Sequence, residues 1–207
     1  GSEITSEIDL QNALAKCQET NTIFTWLASD QSSKWFRDHD DEFQPDEDVA
    51  FMIFKQPKSD FLIADPASPF RIEDQNIKLN DFFETAAVGF EESKNRAESL
   101  SELFQPIVDQ GGHIILYLAK AGLENAGTLL LHLSEKDSSR VGIYWVSVIP
   151  RFRRQGLATR LVSKALSVAL QMGREIAVLQ TDHGSTNIYE RLGFKVEYKM
   201  KSWTFNF

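Results

Sequence analysis

The sequence predicts an α/β protein built on a layered sheet of mixed strand direction. Three observations lead there. Strand-like stretches at Ile114–Lys120, Gly127–Leu133 and Gly142–Val148 follow one another with only the turn-forming pieces Gly122–Asn125 and Glu135–Ser139 between them, which reads as an antiparallel meander. From Gly156 the apolar period changes to that of a helix: Leu157, Leu161, Ala165, Val168 and Met172 share one face, and Gly173 stands where a left-handed cap would end it. Glu175–Thr181 then reads as a buried strand, so Gly142–Thr181 forms a strand, helix, strand unit that should close as a right-handed parallel crossover.

The remaining elements follow in chain order. Ile8–Cys17 has the pattern of a short amphipathic helix, Val49–Lys55 and Asp60–Asp65 of short strands, and the aromatic pieces Phe24-Thr25-Trp26 and Trp35-Phe36 are expected to pack between them. Asp65-Pro66-Ala67-Ser68-Pro69 breaks the chain and marks a boundary between an N-terminal lobe, residues 1–66, and a larger domain, residues 67–207. Phe70–Asp74 is a strand, and Asn80 is placed to cap a helix from Asp81 to about Phe90, with Asp81 and Glu84 in its first turn. A second helix covers Ala97–Asp109 and stops at Gly111-Gly112. After the crossover, Ser185–Arg191 is a short helix, and Lys195–Met200 and Trp203–Phe207 are closing strands.

The 207 residues are 42% hydrophobic and 25% charged, enough apolar content for one domain with a real core and an extension. Cys17 is the single cysteine, which excludes an internal disulfide and a cysteine-rich metal site and fits a reducing, cytoplasmic setting. His39, His113, His132 and His183 lack metal-ligand spacing, so no metal is expected. No apolar run approaches the roughly twenty residues that cross a bilayer, so no membrane partner is expected. The formal net charge is -8, and residues 2–66 hold fourteen acids against five bases, which argues against nucleic acid as a partner. The acid cluster Asp38–Asp48 reads as a solvated loop in preference to a device for steering a cationic substrate.

Against that acidic background, no Asp or Glu occurs from Ser138 to Arg174, while Arg140, Arg151, Arg153, Arg154, Arg160, Lys164 and Arg174 supply seven positive charges. The junction Val148-Ile149-Pro150-Arg151-Phe152-Arg153-Arg154-Gln155-Gly156-Leu157-Ala158 carries most of them, at the start of a helix. The first turn of a helix leaves N–H groups without partners and has partial positive charge, so an anion seated there gains hydrogen bonds and favourable electrostatics together. Gly156 lets the backbone come close to a ligand, and Ala158 keeps the same face small. An ordinary surface helix after a glycine turn, with solvated arginines, is the competing reading of this junction.

Two motifs decide between them. Arg153, Gly156 and Ala158 match the pyrophosphate-loop pattern of Arg or Gln, two variable residues, Gly, one variable residue, and Gly or Ala. Ile188-Tyr189-Glu190-Arg191-Leu192-Gly193-Phe194 is similar to the helix-and-turn segment that follows it. With both motifs at the right separation, Gly142–Phe194 resembles the GCN5-related N-acetyltransferase (GNAT) family, and the order of strands and helices extends the resemblance over about Phe70–Phe207. The resemblance implies a GNAT fold, acetyl-CoA as cofactor, and a transfer of acetyl to a primary amine by direct attack. It implies that the pantetheine arm pairs like an added strand with Val146-Ser147-Val148, and that the N–H groups of Arg154, Gln155, Gly156, Leu157, Ala158 and Thr159 meet the pyrophosphate. A backbone N–H near Val146 would polarise the thioester carbonyl in an oxyanion-hole arrangement.

The resemblance gives Tyr189 the role of proton donor to the departing thiolate; a core tyrosine with its hydroxyl at the surface is the alternative. Carboxylates on the strand before the loop often serve as base in the family, yet Gly142–Val148 contains none. Asp182, His183, His132 and Glu84 are then the candidates, or a water chain. Many relatives also place an asparagine seven residues before the tyrosine; here that residue is Asp182, and Gln180 is offered as a substitute polar contact. The acceptor is expected to be a small-molecule or peptide amine and the protein a monomer or homodimer. An acyl-CoA-binding module with little catalysis is the second hypothesis, because no base is evident. A dinucleotide-binding oxidoreductase is the third and needs glycines where Arg154 and Thr159 stand.

Overall fold

A computed structural model describes residues 25–28, 43–55, 68–92, 95–111 and 113–205. The expected helix Ile8–Cys17, the strand Asp60–Asp65 and the piece Trp35-Phe36 lie outside these residues. In order, the described elements are β1 (Thr25–Ala28), β2 (Phe43–Lys55), β3 (Phe70–Glu73), α1 (Leu79–Gly89), α2 (Asn95–Gln110), β4 (Ile114–Ala121), β5 (Glu124–Leu133), β6 (Arg140–Val148), α3 (Leu157–Gln171), β7 (Ile176–Asp182), α4 (Thr186–Arg191) and β8 (Lys195–Phe205). They fall into two compact units. One gathers the described part of Gly1–Phe51 with Thr181–Gly184 and Glu197–Phe207; the other comprises Met52–Gln180 and Ser185–Val196.

In the smaller unit, β1 pairs antiparallel with β8, from Thr25 opposite Thr204 to Ala28 opposite Lys201. This ladder explains why the two expected closing strands are one. The polar pair Lys201-Ser202 interrupts the apolar pattern, but β1 bonds across it and carries the strand through. The Phe51 and Tyr198 rings stack 4.5 Å apart in the same unit. The strand expected over Val49–Lys55 begins at Phe43, so the second half of the acid cluster is strand backbone and not loop.

In the larger unit the sheet runs β7, β6, β5, β4, β3. The pairs β3/β4, β4/β5 and β5/β6 are antiparallel, and β6/β7 is parallel, as the expected crossover through α3 requires. The β4–β5 hairpin turns on Gly122 at φ +62°, a conformation that favours glycine. Between β5 and β6, Asp137 accepts the N–H and O–H of Ser139 and the Arg140 Nε. The Ser139 bonds first, and Arg140 second, hold its carboxyl below the usual range. The contribution of that turn is therefore complete above the ordinary aspartate range and fades as the pH falls below it.

The two faces of this sheet bury different partners because strand side chains alternate. On one face Leu79, Phe82, Phe83, Ala97 and Leu130 form a cluster, joined by Leu100, Phe104, Leu116 and Trp145. On the other, Leu157, Leu161, Val162, Ala165, Leu166 and Ala169 of α3 are buried. A Cβ on Gly127 would lie 3.4 Å from Leu161 Cδ1 and 3.5 Å from Leu157 Cδ2, which places α3 across from α1 and α2. The expected α3 face is right at Leu157, Leu161 and Ala165, but Met172 is exposed, because the helix ends at Gln171 and Gly173 turns the chain at φ +75°.

Asn80 does not cap α1. The helix starts at Leu79 with Lys78 before it and no side-chain cap, and Asn80 donates to Glu84 Oε1 at 2.7 Å from inside the first turn. Burial of Leu79 in the aromatic cluster draws the helix start forward.

Tyr117 on β4 is fully buried, and its hydroxyl has no hydrogen-bond partner in the described structure. Burial first, and the charge of Asp74 second, push its pKa upward. An orphaned hydroxyl costs its full desolvation, so Tyr117→Phe should stabilise the protein by about 1 kcal/mol in a urea titration. A loss of stability would mean that the hydroxyl is satisfied in solution.

Candidate active site

The site is built where β6 stops behaving as a regular strand. Thr128 of β5 faces Ser147, but Leu130 faces Tyr144, so Trp145 and Val146 together oppose Leu129. This bulge puts Trp145 at φ +54°, a left-handed conformation that costs a bulky residue on the order of 1–3 kcal/mol. Its surroundings hold it there. The Thr128 hydroxyl lies 2.8 Å from both the Trp145 carbonyl and Ser147 Oγ, and the indole meets Phe83 edge-on with centroids 5.3 Å apart.

Past the bulge, β6 leaves its parallel neighbour. The register with β7 runs from Arg140 opposite Ile176 to Ile143 opposite Leu179 and goes no further, while β6 continues to Val148. Val146, Ser147 and Val148 thus lie on a strand edge that β7 does not cover. Ser147 presents only backbone to that edge: its side chain is buried against Thr128, and a Cβ on Gly89 would come within 2.6 Å of its Oγ.

The chain then makes a 3-10 turn at Pro150–Phe152 and enters α3 through Arg153–Gly156. Arg153 has φ -66°, Arg154 φ +64° and Gly156 φ +75°. Backbone that alternates in hand turns successive N–H groups into a concavity suited to an anion. The N–H groups of Leu157, Ala158 and Thr159 open the helix behind it, and no acid occupies that first turn. No atom lies within 4 Å of a Cβ built on Gly156, so Gly156→Ala meets backbone strain alone. It should cost about 1–2 kcal/mol of stability by urea unfolding. A neutral result would show that the loop relaxes freely.

The arginines of this junction do different work, which their sequence does not reveal. Arg151 pairs with Glu124 at 2.9 Å, and its guanidinium lies 5.0 Å from the Phe152 ring centroid. Arg153 donates from Nε to the Val148 carbonyl (3.1 Å), from Nη1 to Glu91 Oε1 (2.6 Å) and from Nη2 to the Gly89 carbonyl (2.7 Å). Gln155 donates to the Arg151 carbonyl at 3.2 Å. Arg154 has neither hydrogen bond nor ion pair among the described residues, and it is exposed. Gly89 and Glu91 are absent from the sequence-level site, where Gly89 and Phe90 read only as the last residues of the Asp81–Phe90 helix.

Tyr189 lies on α4 with 7% of its surface exposed, its ring edge-on to Phe194 at 6.0 Å. The Leu192 and Phe194 N–H groups both donate to its carbonyl at 3.0 Å, and Gly193 makes the turn at φ +94°. Among the candidate bases, His132 stands opposite Gly142, four residues before Val146, which is about 13 Å at strand rise and at the closed end of β6. Glu84 is engaged by Asn80. Asp182 ends β7 exposed, and His183 opens the 3-10 turn His183–Ser185. No group of three or more potential metal ligands occurs, and no helix is long and apolar enough to cross a membrane, among the described residues.

The acetyltransferase (GNAT) family profile matches residues 79–194, from the first residue of α1 to the Phe194 that follows α4. The chain belongs to the GNAT family. This GNAT protein is 36% identical over 64 residues to an uncharacterized N-acetyltransferase of Methanocaldococcus jannaschii, a match spanning 30% of the present chain and 28% of that relative. Its fold is similar to a tandem GNAT protein from the clavulanic acid biosynthesis pathway, with TM-score 0.67 and 14% identity over 94% of this chain and 67% of the other. It is likewise similar to a GCN5-related N-acetyltransferase from Sphaerobacter thermophilus, with TM-score 0.64 and 15% identity over 96% of this chain and 68% of that one. The GNAT fold read from the two motifs is therefore the fold of this α/β chain.

Proposed function

We propose that the protein is an N-acetyltransferase that moves an acetyl group from acetyl-CoA to a primary amine by direct attack. The observation that carries this reading is the early end of the β6–β7 ladder at Ile143 and Leu179, beside a basic loop with left-handed Arg154 and Gly156. These residues fit the coenzyme by shape and charge: an anion-seeking turn followed by an open strand edge suits a diphosphate joined to an amide-rich arm. When bound, acetyl-CoA would supply the activated acyl group as a thioester.

The chain's own residues would divide the work. The N–H groups from Arg154 to Thr159, with Leu157 and Ala158 inside the first helical turn, hold the diphosphate; Arg154 adds an exposed cation. Arg153 shapes the loop without meeting the diphosphate, since its N–H donates to the Pro150 carbonyl and its guanidinium is engaged elsewhere. The backbone of Val146, Ser147 and Val148 pairs with the arm, and a donor near Val146 meets charge developing on the carbonyl oxygen. As the C–N bond forms and the C–S bond breaks, Tyr189 would give its hydroxyl proton to the leaving sulfur, and the proton shed by the amine would leave through a water chain. A fold shared with a tandem GNAT protein over 94% of this chain supports reading residues 1–66 as a reduced half-copy preceding the acetyltransferase domain, residues 67–207.

Calorimetry with acetyl-CoA and a thiol-release assay across an amine panel test the assignment. Binding with turnover of at least one amine is expected. Binding with no thiol release would favour a coenzyme-holding module instead, a reading supported by the lack of any carboxylate or histidine on β6. Failure to bind any coenzyme A derivative would end both.

A further inference from the structure

We propose that Arg153 and Glu91 are positioning residues that tie the α1–α2 turn to the coenzyme loop and so hold the Phe90–Trp145 aromatic pair beside the mouth of the strand gap. The inference rests on the coenzyme reading above and adds a coupling that the family motif does not contain.

The geometry begins with the two faces of the sheet. The phosphate-type loop leads into α3, on the face of Gly127, Leu157 and Leu161, whereas Trp145 packs with Phe83 on the α1–α2 face. A ligand arm that starts at the α3 end and passes through the gap between β6 and β7 must emerge on the α1–α2 face. The aromatic pair stands there: Phe90 is 44% exposed and its ring lies 6.1 Å from Trp145, edge-on. An acceptor reaching the end of the arm from that face would meet these rings.

Phe90 sits in the turn that caps the end of α1. Beyond Gly89, Glu91 adopts φ +60°, and the Phe90, Glu91 and Glu92 N–H groups bond back to Ala86, Val88 and Ala87. The link to the rest of the site is Arg153, which spans from the Val148 carbonyl at the end of β6 to the Gly89 carbonyl and the Glu91 carboxylate on either side of Phe90. One guanidinium therefore joins the strand edge, the loop and the turn. Arg153 and Glu91 are 41% and 64% exposed, so the pair contributes little to global stability, and its role is to set local geometry.

Amide exchange on the full chain tests this, with and without saturating coenzyme A. Glu91→Ala should leave the unfolding midpoint within about 3 °C of the parent. Its affinity for coenzyme A should stay within about threefold, while residues 88–92 in the bound protein exchange about tenfold faster than in the parent. Glu91→Gln, which keeps an acceptor for Nη1, should recover part of the protection. Arg151→Ala, which breaks the Glu124 pair on the other side of the loop, should leave residues 88–92 unchanged. Equal exchange in Glu91→Ala and the parent, or the same loss in Arg151→Ala, would overturn the coupling. If the parent does not bind coenzyme A, the coenzyme reading falls; exchange in the free protein then still reports whether Glu91 holds the turn.

Discussion

Tyr189→Phe should lower the rate of acetyl transfer by about a hundredfold and change the affinity for acetyl-CoA by less than about twofold. The substitution removes one oxygen and keeps the ring. Tyr189 is buried and packs edge-on to Phe194, contacts that phenylalanine preserves, so loss of packing would not explain a slow enzyme. The turn that positions α4 depends on the Tyr189 carbonyl, which accepts from Leu192 and Phe194 and is unaffected. Thiol release under saturating acetyl-CoA measures the rate, and calorimetry measures the affinity. Equal turnover in the variant would remove Tyr189 from the chemistry and leave it as a core residue.

Phe83→Ala should destabilise the fold by about 3–5 kcal/mol, the range for deleting a buried aromatic ring. Phe83 is fully buried, and it meets Phe82, Phe104 and Trp145 at centroid distances of 5.2, 5.0 and 5.3 Å. The cavity would open under the bulge, where Trp145 is held in a conformation it would not adopt unsupported. Phe83→Leu separates the two consequences. It retains most of the volume and should cost less than about 1.5 kcal/mol in urea, yet it removes the edge-on contact that seats the indole. A loss under about 1 kcal/mol in the alanine variant would show that α1 and α2 close over the vacancy.

The order of elements was legible wherever pattern and punctuation agreed. The meander, the helix from Leu157 and the glycine that ends it all stand where the periodicity puts them, because strands and helices with one buried face repeat their apolar residues at fixed intervals. The reading slipped where a partner distant in sequence decides an end. β8 continues through Lys201-Ser202 because β1 lies alongside, and α1 begins at Leu79 because a cluster needs that side chain. Neither cause is local.

The candidate site divides in the same way. Composition showed a stretch without acids in an acidic chain, and spacing showed a glycine at the head of a helix; both are properties of the chain as written, and they located the loop correctly at the start of α3. Which arginine faces outward was not written there. Arg151 and Arg153 look equivalent as letters, but one finds Glu124 and the other finds Glu91 and two carbonyls, since their partners come from β5 and from the end of α1. The bulge at Trp145 and the parting of β6 from β7 are likewise decided between strands, through registers that no single strand contains. The sequence by itself determined the elements, the family and the place of the glycine turn at the head of α3, because these follow from neighbours along the chain. Tertiary structure alone decided the geometry of the gap and the role of each arginine, because hydrogen bonds and ring contacts form between segments only after the sheet has brought them together.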